Sequence, residues 1–243
     1  KLLELINLFK KDKLPNKILL SGQKGIGKCT LAYHLINSIL SSEESYSYDL
    51  EKFRINLENK SFKLIQNKTN PNFTLVDTAT DKKGIDINQI RNLISNLNKS
   101  SFNSKPRFIL IDNIEYLNLN SINALLKILE EPTDNTYFIL IHNNKKMLPT
   151  LSSRCLPFRI SLSNDDVLNI SNKLLNSNIY QLINKELLNY YSTPGQIYNL
   201  VKFSKELDID IKHLDLKSFL SLLINESYYK KNNLIKNIIF EFV

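Results

Sequence analysis

Seven residues near the start of the chain, Gly22-Gln23-Lys24-Gly25-Ile26-Gly27-Lys28, fit the pattern G-x-x-x-x-G-K. A turn of this composition wraps phosphate. Its backbone N–H groups form a concave nest, its glycines allow close approach and positive φ, and a helix beginning at the lysine adds its positive end. Lys28 then supplies a cation for β and γ phosphates. The next residue in such a loop is normally a hydroxyl that holds Mg2+; here it is Cys29, a soft donor poorly suited to a hard ion. Thr30 follows, turned ~100° around a helix axis from that position. A second candidate is Asp112, which closes the apolar run Phe108-Ile109-Leu110-Ile111. At the end of a parallel strand it would hold Mg2+; otherwise it caps a helix. Asn113 comes next, an amide that cannot take a proton from water. Glu115 falls in the following turn and reads as a surface acid. Arg154, in Ser153-Arg154-Cys155, has two readings. It is a surface arginine in an ordinary ion pair, or a planar fork of donors offered to phosphate.

These groups need elements to carry them. Lys17–Ser21 is a short apolar run that reads as a buried strand leading into the glycine turn. A helical pattern follows from Lys28 to about Leu40, and another around Leu50 to Leu57. Phe73–Val76, Phe108–Ile111, Tyr137–Ile141 and Leu156–Ile160 read as further strands, the last suited to a sheet edge by Pro157. Asp86 can cap a helix from Ile87 to about Leu97, and a helix from about Ser121 to Glu130 stops at Pro132. An amphipathic helix over Leu2–Phe9 precedes them all. Strands alternating with helices predict a parallel sheet covered on both faces, a three-layer α/β core over residues 1–160. After Ile160 the buried-strand runs stop, and the chain reads as a helical lid over 161–205 and the start of a helical collar over 206–243.

Composition sets outer limits. The chain has 243 residues, 32 Lys+Arg against 24 Asp+Glu, and a formal charge of +8. The lysines (Lys10, Lys11, Lys13, Lys82, Lys83, Lys145, Lys146) are scattered rather than striped with aromatics, so charge alone does not argue for a nucleic-acid groove. Two cysteines, Cys29 and Cys155, exclude a disulfide framework and a zinc site of four thiolates, and fit a reducing compartment. No apolar run is long enough to span a bilayer. The chain opens on Lys1 rather than Met, so residues upstream are expected.

Three segments in order carry a resemblance. Asn123-Ala124-Leu125-Leu126-Lys127-Ile128-Leu129-Glu130-Glu131-Pro132 is similar to the NALLKxLEEP signature of bacterial clamp-loader subunits, Ser153-Arg154-Cys155 to their SRC motif, and Ile87-Asn88-Gln89-Ile90-Arg91 to a helix entry upstream of the acidic strand. With the phosphate loop and Asp112, the resemblance covers roughly residues 1–200. It implies a P-loop AAA+ core with a parallel sheet, a helical lid and a partial helical collar. It implies ATP as the ligand of Gly22, Gln23, Lys24, Gly25, Ile26, Gly27, Lys28, Cys29, Thr30, Asp112 and Asn143, Asn143 being the polar strand-end residue that senses γ-phosphate. It also implies weakened Mg2+ binding and no zinc. Arg154 becomes an arginine finger delivered in trans.

Within the family, the active ATPase subunits, gamma and tau, carry Thr after the loop lysine, Glu after the strand Asp, a zinc module and a lid arginine. Here these are Cys29, Asn113, no cysteine between residues 30 and 154, and Tyr198. The altered metal ligand, water activator and lid sensor are the delta-prime pattern of a subunit that does not hydrolyse ATP; many delta-prime subunits carry the zinc module, so its absence here is a further departure. The expected partners are gamma/tau and delta subunits, the sliding clamp and primed DNA, in the cytoplasm and with no membrane. The alternative is an active gamma/tau-like ATPase that recruits Glu115 or another acid as water activator.

Overall fold

The computed structural model describes residues 1–78, 84–98, 103–143, 149–190 and 193–228. Lys82, Lys83, Lys145 and Lys146, and the expected collar residues beyond 228, lie outside the described residues. The chain divides into two compact units, one of residues 1–22 and 28–160, the other of residues 23–27 together with those from Ser161 onward.

The first unit is a five-stranded parallel sheet: β1 (Lys17–Ser21), β2 (Phe73–Val76), β3 (Arg107–Ile111), β4 (Thr136–His142) and β5 (Leu156–Arg159), in the order β2-β3-β4-β1-β5. Alternation along each strand sends side chains to opposite faces. Leu19, Ile109, Ile111, Phe138 and Leu140 meet α4 (Ile87–Leu97) and α5 (Leu119–Glu130). Ile18, Leu20, Phe108, Leu110, Ile139 and Ile141 meet α1 (Leu2–Lys10), α2 (Lys28–Leu40) and α3 (Lys60–Gln66). Each such fully buried side chain contributes roughly 1.5–3 kcal/mol. That explains why the central strands β1, β3 and β4 are near-continuous apolar runs: both faces are covered. β5 lies at the edge, where Pro157 leaves no ladder bond unmade.

Local signals fix the helices. Asp86 and Gln89 form a reciprocal capping box at the start of α4. Asn118 caps α5, which therefore starts at Leu119, two residues earlier than the apolar spacing suggests. The helix expected over Leu50 to Leu57 is absent. Asp49 instead accepts from the N–H groups of Glu51 and Lys52, Phe53 takes φ 51°, and Leu50, Phe53 and Leu57 are exposed. The side-chain bonds compete with a helix, and no core faces the apolar residues to reverse that choice. The helix comes later, over Lys60–Gln66, where Asn59 caps it by accepting from Phe62 N–H.

The second unit is helical: α7 (Asn164–Leu175), α8 (Lys185–Tyr190), α9 (Pro194–Glu206) and α10 (Leu216–Asn225), after the short α6 (Pro149–Ser152) of the first unit. Its own core is built on Ile179, Ile183, Leu187, Ile197, Leu200, Phe219 and Leu223. None of the described helices is long and apolar enough to cross a membrane.

Candidate nucleotide site and the Arg154 edge

In a parallel sheet all strands end on one rim, and ligands bind there, where the chain order reverses. β1 runs out at Ser21 into the glycine turn, β2 into Asp77, β3 into Asp112 and β4 into Asn143. The rim thus gathers polar groups from four strand ends that lie more than 30 positions apart in the chain.

Lys28 is buried at 3 % exposure and donates from Nζ to the carbonyl of Gly22 at 2.7 Å. Burial lowers its ammonium to about 8, against the raising pull of Asp112 and Glu115. The adjacent Cys29 donates its thiol proton to the Asp112 carboxylate. Burial first, then the Asp112 charge and that hydrogen bond, push the thiol up to about 12. Asp112 is raised as well, by burial and then by the charge of Asp77, while the Cys29 bond, the Asn113 N–H and Lys28 pull it down. The Asn113 N–H lies 2.9 Å from Asp112 Oδ1. Thr30 is exposed on α2.

Asn113 sits at φ 58°, the left-handed region that asparagine tolerates. From there its Nδ2 donates to Asp77 Oδ1 at 3.0 Å, and its Oδ1 accepts from Asn143 Nδ2 at 2.8 Å. The same Asn143 amide donates to Glu115 Oε1 at 2.8 Å. Glu115 is therefore no surface acid. The short 3-10 turn Ile114–Tyr116 brings it back to the rim, with its other oxygen buried and without a hydrogen-bond partner. Turn geometry made this placement invisible in the sequence. Asp77 was also missed, although an acid directly after an apolar strand, as with Asp112, is a signal that could have found it.

The turn itself belongs to the second unit. Gly25 and Gly27 have φ 83° and 94°. The Thr193 hydroxyl donates to Lys24 O at 2.9 Å, and Gly195 N–H donates to Gly25 O at 2.9 Å. A Cβ on Gly25 would stand 2.5 Å from the Thr193 hydroxyl, so only glycine fits. Gln23, Lys24 and Gly25 are exposed and Ile26 half-buried; Tyr198, at the lid arginine's position, is exposed on α9.

The positive-φ glycines of the turn suit a phosphate group. The rest does not suit Mg2+: the thiol is spent on Asp112, and an amide stands beside it. Among the described residues no group of His, Cys, Asp and Glu is arranged to hold a metal ion.

Far along the chain, Arg154 follows the α6 turn. Its Nε and Nη2 donate to Glu130 Oε1 at 3.1 and 2.6 Å, and Nη1 donates to Thr150 O at 3.0 Å. The two charged side chains are 34 % and 53 % exposed. The first sequence reading of Arg154, a surface arginine in an ordinary ion pair, is what the geometry shows.

Sheet order, the loop after β1 and the acid after β3 define an α/β P-loop protein of the AAA+ class. A solved structure with the same fold is a DNA polymerase III gamma subunit-related protein from Thermotoga maritima (TM-score 0.50, 15 % identity, 92 % of this chain and 76 % of that one covered). A model of the family described as "DNA polymerase III, delta subunit" matches residues 1–164, and the chain belongs to that family. Its relatives include DNA polymerase III subunit delta' of Pseudomonas aeruginosa, 32 % identical over 139 residues (57 % of this chain, 40 % of the relative). They also include subunit gamma of Buchnera aphidicola, 32 % identical over 171 residues (70 % and 45 %). The chain spans less than half the length of either of these curated relatives.

Proposed function

We propose that the chain is a delta'-like subunit of a DNA polymerase III clamp loader, one that does not hydrolyse ATP itself and donates Arg154 to the nucleotide of an adjacent ATPase subunit. The observation that carries this reading is the interlocking at the rim. Cys29 is bonded to Asp112, and Asn113 to Asp77 and Asn143, so the positions for metal ligand and water activator are filled by groups bound to one another. Arg154, by contrast, is at the surface. A guanidinium delivered in trans stabilises charge in phosphoryl transfer and is worth ~10³ or more in rate. In this reading residues 1–160 are the AAA+ core, 161–205 the lid and 206–243 the beginning of a collar. The partners are gamma/tau and delta subunits. The assembly loads the sliding clamp on primed DNA in the cytoplasm. The glycine turn and Lys28 would hold ATP phosphates with little help from Mg2+, and no zinc is used.

Glu115 favours a second reading, an active gamma/tau-like ATPase, because its carboxylate does reach the rim. Steady-state hydrolysis by the isolated chain with Mg2+ separates the two; turnover that disappears in Lys28→Ala would establish the motor. The test of the main reading is Arg154→Ala in a complex reconstituted with cognate ATPase subunits. The expected result is a fall in DNA-stimulated hydrolysis by at least the share of the site that Arg154 serves. An undiminished rate would remove the finger.

A further inference from the structure

We propose that Glu130 is a positioning residue that parks Arg154, so that the guanidinium serves a neighbouring phosphate only after it exchanges that carboxylate for the phosphate. This rests on the reading of Arg154 as a finger in trans.

The donor inventory carries the argument. A guanidinium has five N–H donors in a fixed fork and grips phosphate through two parallel bonds. In Arg154, Nε and one Nη2 hydrogen go to Glu130 Oε1, and the two Nη1 hydrogens go to Thr150 O and, at 3.5 Å, Ser153 Oγ. One Nη2 hydrogen is left, which is not enough for a two-bond grip. The edge that points most strongly at an anion is the edge Glu130 already occupies. A phosphate arriving there would also meet the Glu130 charge.

Glu130 is held where it does this. It is the last residue of α5, whose end is fixed by Lys17 Nζ donating to Leu129 O at 3.0 Å. An acid in the last turn of a helix faces the negative end of the dipole, so the placement is not one that helix energetics favour. The Arg154 cation offsets it. Because both side chains are partly in water, release is easy, and the pair works as a latch rather than a permanent bridge.

The test uses the complex reconstituted with cognate ATPase subunits, carrying Glu130→Gln, Arg154→Ala or both. Hydrolysis is measured without DNA and with primed DNA plus clamp. Glu130→Gln is expected to raise the DNA-independent kcat about two- to five-fold, the Boltzmann factor of an exposed ion pair. KM for ATP should not move, since the nucleotide is held by another subunit. Glu130→Asp, which keeps the charge, should return the rate toward that of the unaltered protein, and Glu130→Gln should do nothing in the Arg154→Ala background. If Arg154→Ala leaves hydrolysis intact, the finger reading itself fails. If Arg154→Ala lowers hydrolysis but Glu130→Gln leaves kcat unchanged or lowers it, the finger stands and the latch is wrong. A rise that persists without Arg154 would show that Glu130 acts by another route and would equally overturn the latch.

Discussion

Around Asp112 the polar groups are turned inward and most bond to one another; around Arg154 the charges stand partly in water. Lys28, Cys29, Asp112, Asn113, Asp77, Asn143 and Glu115 come from four strand ends and bond to one another or to backbone. Arg154 and Glu130 form a single pair between two helix ends, with water on one side. The difference is one of desolvation. A buried polar group that loses its partner costs about 1–3 kcal/mol, while an exposed ion pair is worth ~0–1 kcal/mol. The rim is therefore expensive to rearrange and fixed in one state. The Arg154 edge can move between partners at little cost, which the proposed role in trans requires.

The strongest attack on that contrast is Asn113→Glu, which puts an acid directly after Asp112. The carboxylate could no longer donate to Asp77, would stand beside Asp77 and Glu115 with like charge, and would place a longer side chain at φ 58°. The expected outcome is a loss of about 2–4 kcal/mol in urea unfolding with no gain in ATP hydrolysis. A variant as stable as the parent would show that the rim is looser than its bonds imply.

A smaller effect comes from pH. Lys28 is held at about 8 in the fold against 10.5 when unfolded, so between those values the unfolded chain binds more protons and stability rises with pH. The slope from this one group is at most ~1.4 kcal/mol per pH unit. Cys29, raised from 9.0 to about 12, acts with the opposite sign from pH 9 upward, because there the folded chain binds more protons. The clean window is thus pH 8 to 9. Urea melts of the parent and Lys28→Met in that window should diverge in slope, with the parent gaining stability as pH rises. Parallel curves would mean that Lys28 is solvated.

The smallest expected effect sharpens the comparison from the other side. Arg154→Ala should change the unfolding free energy by less than ~1 kcal/mol, although it removes the group argued to matter most to the assembly. A larger loss would make Arg154 part of the fold's own support.

Much of this molecule was written in one dimension. The five strand runs, the edge position of Pro157, the cap at Asp86 and the G-x-x-x-x-G-K turn all depend on local propensity or on burial pattern, and each stands where the chain order placed it. Leu50 to Leu57 shows the limit. Its spacing is helical, but Asp49 captures the backbone donors and no partner surface exists to outbid it.

The residues themselves determined that a G-x-x-x-x-G-K turn, a cysteine after its lysine and an SRC arginine are present, because those facts are chemical identities at fixed spacing. Only the tertiary structure decided how they are engaged. Glu115 reaches Asn143 through a 3-10 turn, Asp77 reaches Asn113 across 36 positions, and Glu130 reaches Arg154 across 24. Such pairings follow from where strands and helices end in space. That is set by packing of the whole sheet, and no window of sequence contains it.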